Sequence, residues 1–405
     1  MRVLQVNKFF YRRGGAEVVF FDTINGLKER GYDVIEFSMQ HSHNLPSGYS
    51  AYFSREIPEL TSKQSIKSDW NTFKNLFSSE EIEKKIKALV LATEPEVAHL
   101  HNVTRQLSAS LFTTLKKLEI PMVFTVHDVQ PMCPNHRMIR NHTICEKCHR
   151  HKYYNCARYK CINDSRAQSV AGALEAYFYY LKGIWKMVDI FVCPSQFMLD
   201  KMVAWGFPAK KMRLVRNPFS APAKIAPLGD KIVYMGRLHE EKGIKIFMEA
   251  ATKLRNYKII IAGTGPEEEM IEKIIRQNSL TNVERIGWAA GDKWKKIMDE
   301  ARVIVVPSLF YENCSITILE ALGNGRIVVA ADRGGNNELV INGETGFLAK
   351  PEDPDSFADL IRRAMELKDY ETDKIINNSR NLIENNHSPD GYFKSLGEIY
   401  GALVK

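Results

Sequence analysis

Two carboxylates, Glu312 and Glu320, stand eight residues apart in the stretch FYENCSITILEALGNG (310–325). The stretch follows the apolar run RVIVVPS (302–308) and ends in a glycine-rich break. Serine is a preferred helix N-cap and glycine a frequent helix end. The pattern therefore predicts a short helix over 315–322, with one acid before it and one inside it.

This arrangement suits a ligand that is neutral at both ends and anionic in the middle. The first amides of a helix lack intrahelical partners, so the N–H groups near Ser315 and Ile316 could hold an anion. Glu312 and Glu320 could each accept hydrogen bonds from hydroxyls on either side. Ribose hydroxyls, diphosphate and sugar hydroxyls follow that order in a nucleotide sugar. The alternative is that Glu320 is a helix-surface acid and Glu312 a favourable charge near a helix N-terminus.

Two cations follow another predicted strand. Arg237 and Lys242 lie five residues apart in GRLHEEKG, directly after the apolar run KIVYMG. A guanidinium fork and an ammonium point charge together suit a diphosphate, whose charge is spread over several oxygens. The alternative is a pair of solvated surface cations.

Two glycine-rich turns also stand between a predicted strand and a predicted helix. Gly14 and Gly15 lie in RRGGAE, and Gly263 and Gly265 lie in AGTGPEEE. Glycine allows backbone to approach a ligand closely, and the helix start that follows can attract an anion. Each turn alone is explained equally well as a tight chain reversal.

The elements that must position these residues alternate along the whole chain. Short β-branched runs and amphipathic stretches follow one another, and the pattern restarts after a Pro/Ala-rich linker near 217–230. This alternation predicts an α/β fold with two Rossmann-like, doubly wound parallel sheets. We expect an N-terminal acceptor domain (1–216), a C-terminal nucleotide-sugar domain (217–387) and a last helix (388–405) that packs on the first domain. Ligands of such sheets bind beyond the carboxyl ends of the strands, where the motifs lie.

The charge of the 405-residue chain is unevenly distributed. The net charge is +8, but residues 1–220 carry 31 Lys and Arg against 20 Asp and Glu. Residues 101–220 alone hold 18 basic and 7 acidic side chains. This basic surface is either ordinary solvated lysine or a contact with anionic lipid head groups or a phosphate-bearing acceptor. We do not expect nucleic acid as a partner, because no nucleic-acid-reading motif accompanies the charge.

The N-terminal sequence and the lengths of the apolar runs indicate the cellular compartment of the protein. The start MRVLQVNKFF reads as a first strand and lacks a signal-peptide core. No apolar run approaches the roughly 20 residues that span a bilayer. We therefore expect a cytoplasmic protein with reduced cysteines.

Five of the seven cysteines fall within 133–161. The pair Cys145-x2-Cys148 with two further thiols nearby has the spacing of a tetrahedral structural zinc site. Unligated thiols and an iron–sulfur cluster remain alternatives. The next segment, LEAYFYYLKGIWKMV (174–188), mixes aromatic residues with lysines. It reads as a core-facing helix or as a helix at a membrane interface.

The motifs together resemble a known family. ENCSITILEA resembles the E-x7-E signature of retaining nucleotide-sugar glycosyltransferases with the GT-B fold, the group 1 or family 4 type. GRLHEEKG, AGTGPEEE, RGGNNELVINGETGFL (333–348) and the double-glycine loop occur in the family's order. The resemblance covers essentially the whole chain and is strongest over 231–350. It implies two Rossmann-like domains facing across a cleft.

By position, the resemblance assigns roles to single residues. It implies that Glu320 binds the ribose, that Glu312 binds the donor sugar, and that the two cations hold the diphosphate. His127 in TVHD matches a His-Asp pair beside the donor sugar, while His101 and Asn102 would face the acceptor. The chain has Asn-Cys-Ser after Glu312 where many relatives have Pro-Phe-Gly, so the donor stays open. The implied catalytic residues are Glu312, His127, Arg237 and Lys242, and the implied donor-binding residues are Gly14, Gly15, Arg237, Lys242, Gly263, Gly265, Ser315, Ile316 and Glu320.

A polysaccharide-assembling subset of this family carries a similar cysteine-rich insertion. The resemblance selects four of the thiols as ligands of a structural zinc ion and leaves Cys156 as the spare. The implied ligands are Cys133, Cys145, Cys148 and Cys161.

The resemblance implies transfer of a sugar from a UDP- or GDP-sugar to a glycan or polyprenyl-diphosphate-linked acceptor. It implies retention of anomeric configuration and no cofactor for catalysis, in capsule or O-antigen assembly at the inner face of the cell membrane. Two rivals remain. An epimerase on the same fold would release free sugar without an acceptor, and a non-catalytic scaffold would bind nucleotide sugar weakly or not at all.

Overall fold

The computed structural model describes residues 1–57 and 77–404 and contains two six-stranded parallel sheets. The first sheet has the order β2-β1-β3-β4-β7-β8 and the second β11-β10-β9-β12-β13-β14. This confirms the predicted α/β class with two Rossmann-like sheets. The strands of the described residues are β1 (Arg2–Val6), β2 (Asp33–Phe37), β3 (Val97–Leu100), β4 (Met122–Thr125), β5 (Ile139–Arg140), β6 (Thr143–Ile144), β7 (Ile190–Cys193), β8 (Met212–Leu214), β9 (Lys231–Met235), β10 (Ile259–Ala262), β11 (Val283–Ile286), β12 (Ala301–Val306), β13 (Ile327–Ala331) and β14 (Phe347–Ala349).

Helices connect most of these strands and keep the pairing parallel. Some begin at side-chain caps: Ser165 accepts the Gln168 amide, and Ser195 accepts the Met198 amide. The α-helices of the described residues are Gly15–Glu29, Glu80–Thr93, Ser108–Lys117, Tyr154–Arg158, Arg166–Leu181, Ile184–Met187, Gln196–Ala204, Ile244–Ala251, Glu268–Gln277, Asp292–Glu300, Ile316–Gly323, Asn336–Leu339, Pro354–Met365, Asp369–Asn386 and Pro389–Leu403.

Contacts divide the described chain into two compact units. The first comprises residues 1–138, 146–217 and 390–405, and the second comprises 139–145 and 218–389. The small antiparallel hairpin β5–β6 is thus grouped with the second unit. No helix of the described residues is both long enough and apolar enough to cross a bilayer.

The core of each unit lies against its sheet. Every residue of β13, IVVAA, is buried, as in a parallel strand that is covered on both faces. In the first unit the last helix completes the core. The ring of Phe393 occupies the space where a Cβ on Gly26 would lie, and Tyr392 shares a 2.8 Å hydrogen bond with Thr23.

Candidate functional site

In the second unit, three neighbouring strands present the predicted donor residues at one edge of the sheet. The order β10-β9-β12 makes the turns after these strands adjacent. Arg237 follows β9, Gly263 follows β10 and Glu312 follows β12. The parallel topology therefore brings together motifs that are up to 75 residues apart in the chain.

Lys242 and Glu312 form the clearest contact of this edge. The ammonium Nζ lies 2.8 Å from carboxylate Oε1 of Glu312, and the Ser308 hydroxyl donates to the same oxygen at 2.6 Å. Glu312 is buried, and the Lys242 ammonium also lies 4.8 Å from the ring centroid of Phe310. Burial strengthens such a charge pair because little water screens it. The contact orients both groups at the strand ends.

Arg237 is held by a neighbour within its own motif. Its guanidinium donates to Glu241 Oε1 at 2.9 Å, and Glu241 is buried while the Arg237 side chain is 52 % exposed. The Tyr234 hydroxyl donates to the Arg237 carbonyl oxygen at 2.8 Å. One end of the guanidinium is thus anchored, and its exposed part is available to solvent or to an anion.

The glycines of AGTGPEEE have a packing role in the structure. A Cβ on Gly263 would lie 1.9 Å from the Gly236 carbonyl oxygen, and one on Gly265 would lie 2.2 Å from that of Leu238. The turns after β9 and β10 are therefore in backbone contact. Glycine is required here for this close approach, whether or not a ligand also binds.

The loop that carries Glu312 is fixed by a second pair of glycines in RGGNNEL. The Gly335 amide donates to the Glu312 carbonyl oxygen at 2.7 Å. A Cβ on Gly335 would lie 1.8 Å from the Asn313 carbonyl oxygen. The turn after β13 therefore contacts the carbonyl groups of both Glu312 and Asn313 and fixes the position of this loop.

The predicted helix after this loop is present as Ile316–Gly323. Ser315 is its N-cap in an extended conformation, but its side chain makes no capping hydrogen bond. Glu320 lies in the second turn and is half-buried. The helix thus starts where its first amides adjoin the Glu312 loop, as the sequence predicted.

In the first unit, His127 follows β4 and is half-buried beside two buried imidazoles, those of His99 and His101. Its Nε2 lies 2.9 Å from Nδ1 of His101, and Nε2 of His101 lies 3.0 Å from the Gln5 side-chain oxygen. His99, two residues before His101, lies between the hydroxyls of Tyr400 at 2.6 Å and Thr125 at 2.7 Å. The last helix therefore reaches this network through Tyr400.

The network assigns tautomers to His101 and His127. The Gln5 carbonyl oxygen only accepts, so His101 Nε2 carries a proton and its Nδ1 accepts. His127 Nε2 then donates to His101, and His127 Nδ1 is an acceptor. This neutral form accepts a hydrogen bond from a hydroxyl group, and it is not a proton donor at Nδ1.

Burial keeps these imidazoles neutral. It lowers the pKa of His99 to about 3 and that of His127 to about 4, from a usual value of 6.5, and it lowers the pKa of His101 well below that value. The neighbouring Asp128 is also perturbed: burial raises the pKa of its carboxyl group, and its Oδ1 accepts the Gln130 amide at 2.8 Å.

The double-glycine turn of the first unit forms the start of a helix. Gly14 is the N-cap of the helix Gly15–Glu29. Glu17 lies in its first turn, where it is buried and accepts a hydrogen bond from Asn7 at 3.4 Å. Burial raises the pKa of the Glu17 carboxyl group. A carboxyl group therefore already occupies this helix start.

The structure does not support the predicted zinc site at Cys133, Cys145, Cys148 and Cys161. Within residues 1–57 and 77–404, no three His, Cys, Asp or Glu side chains are grouped to hold a metal ion. The thiols instead interact in pairs, Cys133 with Cys148 and Cys156 with Cys161.

The paired thiols also perturb the pKa values of one another. The hydrogen bond with Cys133 and burial raise the pKa of Cys148, and the hydrogen bond with Cys161 and burial raise the pKa of Cys156. The hydrogen bond with Cys148 lowers the pKa of Cys133.

The sequence analysis did not identify the side chains that form hydrogen bonds with the predicted site residues and their neighbouring histidines. Glu241 lies four residues after Arg237, and Ser308 ends the run RVIVVPS, so both could have been found from spacing. Gln5 and Tyr400 gave no local signal, because each reaches the histidines through tertiary packing.

Chemically, the second unit presents an exposed guanidinium, a half-buried ammonium paired with a buried carboxylate, and a helix start at one sheet edge. Such groups stabilise an anion that carries several oxygens. The first unit presents a neutral imidazole acceptor at the corresponding strand ends of its own sheet.

Comparison with known proteins is consistent with these chemistries. The model of "Glycosyl transferases group 1" matches residues 219–382, and that of "Glycosyltransferase Family 4" matches residues 13–221. An uncharacterized glycosyltransferase of Methanocaldococcus jannaschii is 31 % identical over 176 residues, which are 42 % of this chain and 44 % of that protein. The lipopolysaccharide 1,2-N-acetylglucosaminetransferase of Salmonella typhimurium is 28 % identical over 223 residues, 49 % of this chain and 58 % of that one. Each match spans less than two thirds of the relative.

A solved structure resembles the chain over its whole length. The Anabaena protein Alr3699/HepE, in complex with UDP and glucose, superposes with a TM-score of 0.71 at 16 % identity, covering 99 % of each chain. At this identity the likeness concerns the fold.

Proposed function

Because this chain belongs to glycosyltransferase family 4, we propose that it transfers a sugar from a nucleoside-diphosphate sugar to a hydroxyl group of a glycan or lipid-linked acceptor. The transfer retains the anomeric configuration and serves surface-polysaccharide assembly. The second unit binds the donor, and the first unit binds the acceptor.

The observation that carries this proposal is the contact of Lys242 with Glu312 beside Arg237. A cation pair at the strand ends suits a diphosphate, and a carboxylate at the same place suits sugar hydroxyls. In the proposed complex the Lys242 ammonium keeps Glu312 as one partner and gains a phosphate oxygen as another. Glu320 binds the ribose, and the amides of Ser315 and Ile316 assist with the diphosphate.

The proposed reaction develops negative charge on the leaving group. The bond between the anomeric carbon and the diphosphate oxygen breaks, and the acceptor oxygen forms the new bond on the same face. The acceptor proton passes to the departing phosphate oxygen, so no protein nucleophile takes part. Preorganised cations stabilise that developing charge, and such stabilisation often contributes more to catalysis than any other effect. His127, as a neutral acceptor at Nδ1, binds a hydroxyl group of a reacting sugar.

Two findings from relatives bear on the substrates. The Salmonella relative is named for transfer of N-acetylglucosamine to lipopolysaccharide, and the Anabaena structure contains UDP. We therefore propose UDP as the first nucleotide to test and a surface glycan as the acceptor class. The basic charge of residues 101–220 supports an acceptor that carries phosphate.

The donor is tested by thermal shift with UDP-, GDP- and ADP-sugars, each with and without a chelator. A ligand that binds only the folded state raises its unfolding temperature. We expect one nucleotide class to raise it, and the shift to persist in the chelator. If none of the nucleotide sugars raises the unfolding temperature, the donor assignment is wrong.

Glu320→Ala tests the predicted ribose contact. We expect it to remove most of the donor-induced shift and most of the transfer, because the ribose hydroxyls lose their acceptor. Glu344→Ala, an exposed acid of the same unit, is the matched control and should change neither. Equal behaviour of the two variants would remove Glu320 from the site. The anomeric configuration of the product, read by NMR, tests retention, and free epimerised sugar formed without acceptor would favour the epimerase.

A further inference from the structure

Six side chains of the first unit are joined end to end by hydrogen bonds. In order along this hydrogen-bond series they are His127, His101, Gln5, Tyr400, His99 and Thr125. The five successive distances between the bonded atoms are 2.9, 3.0, 3.5, 2.6 and 2.7 Å. The series joins the last helix to the strands β1, β3 and β4 and to the residues that follow β3 and β4.

The series is closed to water except at one end. Gln5, His99, His101 and Tyr400 are fully buried and Thr125 is 1 % exposed, whereas His127 is half-buried. Burial also lowers the pKa of all three imidazoles, so that they are neutral near pH 7. A neutral imidazole donates at one nitrogen and accepts at the other. Each hydrogen bond of an imidazole in the series therefore determines the next one.

The Gln5 amide gives the series a direction. It presents its oxygen Oε1 to His101 and its nitrogen Nε2 to the Tyr400 hydroxyl. On the first side, His101 donates to Gln5 from Nε2 and accepts from His127 at Nδ1. Every donor on this side thus points from His127 towards Gln5.

The same direction continues beyond Gln5. The Tyr400 oxygen accepts from the Gln5 amide, and its own proton goes to His99 Nδ1, because a buried hydroxyl without a partner would cost about 1–3 kcal/mol. His99 Nε2 then donates to the Thr125 hydroxyl. All five hydrogen bonds therefore point from His127 to Thr125, and all three imidazoles carry their proton at Nε2.

Packing holds the rings of the series in place. The planes of His101 and His127 differ by 23°, with 5.2 Å between the centroids and 2.9 Å between the bonded nitrogens, so the rings meet edge to edge. The rings of Phe20 and His99 lie 5.2 and 4.4 Å from that of His101, measured between centroids. The imidazole of His101 cannot rotate without losing these contacts. The orientation of the Gln5 amide then decides the direction.

The direction determines what His127 can do at the half-buried end. Hydrogen bonds that point the same way polarise one another in a low-dielectric interior. The hydrogen bond made by one ring nitrogen of a histidine sets the protonation of the other nitrogen. Nδ1 of His127 is therefore an acceptor, and in the opposite direction of the series it would be a donor.

We propose that Gln5 and Tyr400 are positioning residues for sugar transfer, which act through His101 to hold His127 in the tautomer that accepts a hydroxyl group at Nδ1. The inference rests on the proposed function, since His127 there binds a reacting sugar. It specifies the substrate further: the sugar carries a free hydroxyl group where it meets His127, because an ether or carbonyl oxygen has no proton to donate.

NMR of the full-length protein labelled with ¹⁵N-histidine measures the tautomers directly, because protonated and unprotonated ring nitrogens have different shifts. The variants His99→Gln, His101→Gln and His127→Gln assign the signals. Near pH 7 we expect a proton at Nε2 and none at Nδ1 in all three histidines. Protonation at Nδ1, or a mixture of tautomers at His127 in the wild-type protein, would overturn the proposal.

Tyr400→Phe tests the role of the last helix, because it removes the hydroxyl group and keeps the ring. The Gln5 amide then loses the partner of its nitrogen and can take either orientation, so we expect both tautomers at His127. Tyr392→Phe is the matched control, since Tyr392 is also buried in the last helix and its hydroxyl is bonded to Thr23 at 2.8 Å. It should keep the single wild-type tautomer. Identical His127 signals in the two variants would overturn the proposal.

Gln5→Met is a second test that does not depend on Tyr400. It removes the amide oxygen that fixes the proton of His101, and we expect both tautomers at His127 here too. A single Nε2-protonated His127 in this variant would show that Gln5 does not set the tautomer.

Transfer kinetics on the same variants connect the tautomer to the reaction. We expect Tyr400→Phe and Gln5→Met to lower kcat/KM by about two- to tenfold, the value of one hydrogen bond, and Tyr392→Phe to leave it unchanged. Mixed tautomers with wild-type kinetics would contradict this inference alone. The NMR measurement needs no substrate, so the predicted tautomers without any donor-induced thermal shift would contradict the proposed function and not the hydrogen-bond series.

Discussion

At the scale of single residues, the charged groups proposed to act in transfer are already paired. Glu312 is paired with Lys242, and Arg237 with Glu241. Such partners hold the cations in place before a substrate arrives. A preorganised group needs no reorientation during the reaction, which is the physical basis of electrostatic catalysis.

Lys242→Ala should lower transfer by about 10² or more, because one cation of the leaving-group site is lost. It should also destabilise the protein, because Glu312 then keeps a buried charge without its ammonium partner. Initial rates with the donor identified by thermal shift measure the first effect, and urea unfolding the second. Lys245→Ala, an exposed lysine three residues later, is the control. Comparable rates for the two variants would contradict a role for Lys242 in transfer.

The buried histidines make stability depend on pH. An unfolded imidazole takes up a proton near pH 6.5, but burial delays this to about pH 3 at His99 and about pH 4 at His127. Between these values the unfolded state binds more protons. The stabilising contribution of these histidines is therefore complete above pH 6.5. Below that pH the free energy of unfolding falls by at most about 1.4 kcal/mol per pH unit for each histidine.

Urea unfolding near pH 7 and near pH 5 measures this slope. The carboxyl groups of buried Glu17 and Glu175 and of half-buried Asp128, whose pKa values are raised by desolvation, act in the opposite sense. The test is therefore the difference between wild type and His99→Gln, which should have the smaller slope. His43→Gln, at an exposed position, should keep the wild-type slope. A His99→Gln slope equal to that of wild type would show that this imidazole is not held neutral by the fold.

At the scale of elements, the turns after the strands position the site by backbone contact. The turn at Gly335 holds the Glu312 loop through a 2.7 Å hydrogen bond, and the turn at Gly263 lies directly against Gly236. These contacts leave no room for a side chain. The glycine-rich motifs are therefore required by packing, in addition to any role in binding.

Gly335→Ala should lower both stability and donor binding, because the new Cβ would lie 1.8 Å from the Asn313 carbonyl oxygen and push the Glu312 loop away. Thermal unfolding and the donor-induced shift measure the two effects. Gly401→Ala is the matched control: it lies in the last helix with no atom within 4 Å of the new Cβ. It should stabilise the protein by about 0.5–1 kcal/mol. An unchanged donor-induced shift in Gly335→Ala would mean that the loop position is not needed for binding.

At the scale of the whole molecule, the basic charge is concentrated in residues 101–220. That segment includes the exposed lysines Lys182 and Lys186. Residues 1–100 carry 13 Lys and Arg against 13 Asp and Glu, and residues 221–405 carry 25 against 28, so the net charge of each segment is small. A surface of this kind would attract anionic assemblies from a distance of about one Debye length.

We expect the protein to bind phosphatidylglycerol vesicles more tightly than phosphatidylcholine vesicles, as measured by co-sedimentation. Raising the salt from about 0.05 M to about 0.5 M should release it, because the Debye length shortens from about 14 Å to about 4 Å. Binding that is equal for both lipids and unaffected by salt would show that the basic segment does not act at a membrane surface.

The sequence alone was sufficient for the fold class and for the motifs. β-branched runs that alternate with amphipathic stretches predict parallel sheets, because a sheet buried on both faces requires that pattern. The motifs GRLHEEKG and ENCSITILEA contain the charged residues of the predicted site. Their spacing even indicated which strand ends carry them.

The partners of those groups were decided by tertiary structure. Lys242 meets Glu312 across 70 residues of sequence, and Tyr400 reaches His99 across 301 residues. The cysteine spacing, together with the family resemblance, suggested four zinc ligands, yet four of the described thiols interact in two pairs, Cys133 with Cys148 and Cys156 with Cys161. Local spacing constrains neighbours along the chain, whereas pairing, burial and empty volume depend on which distant side chains the core brings together.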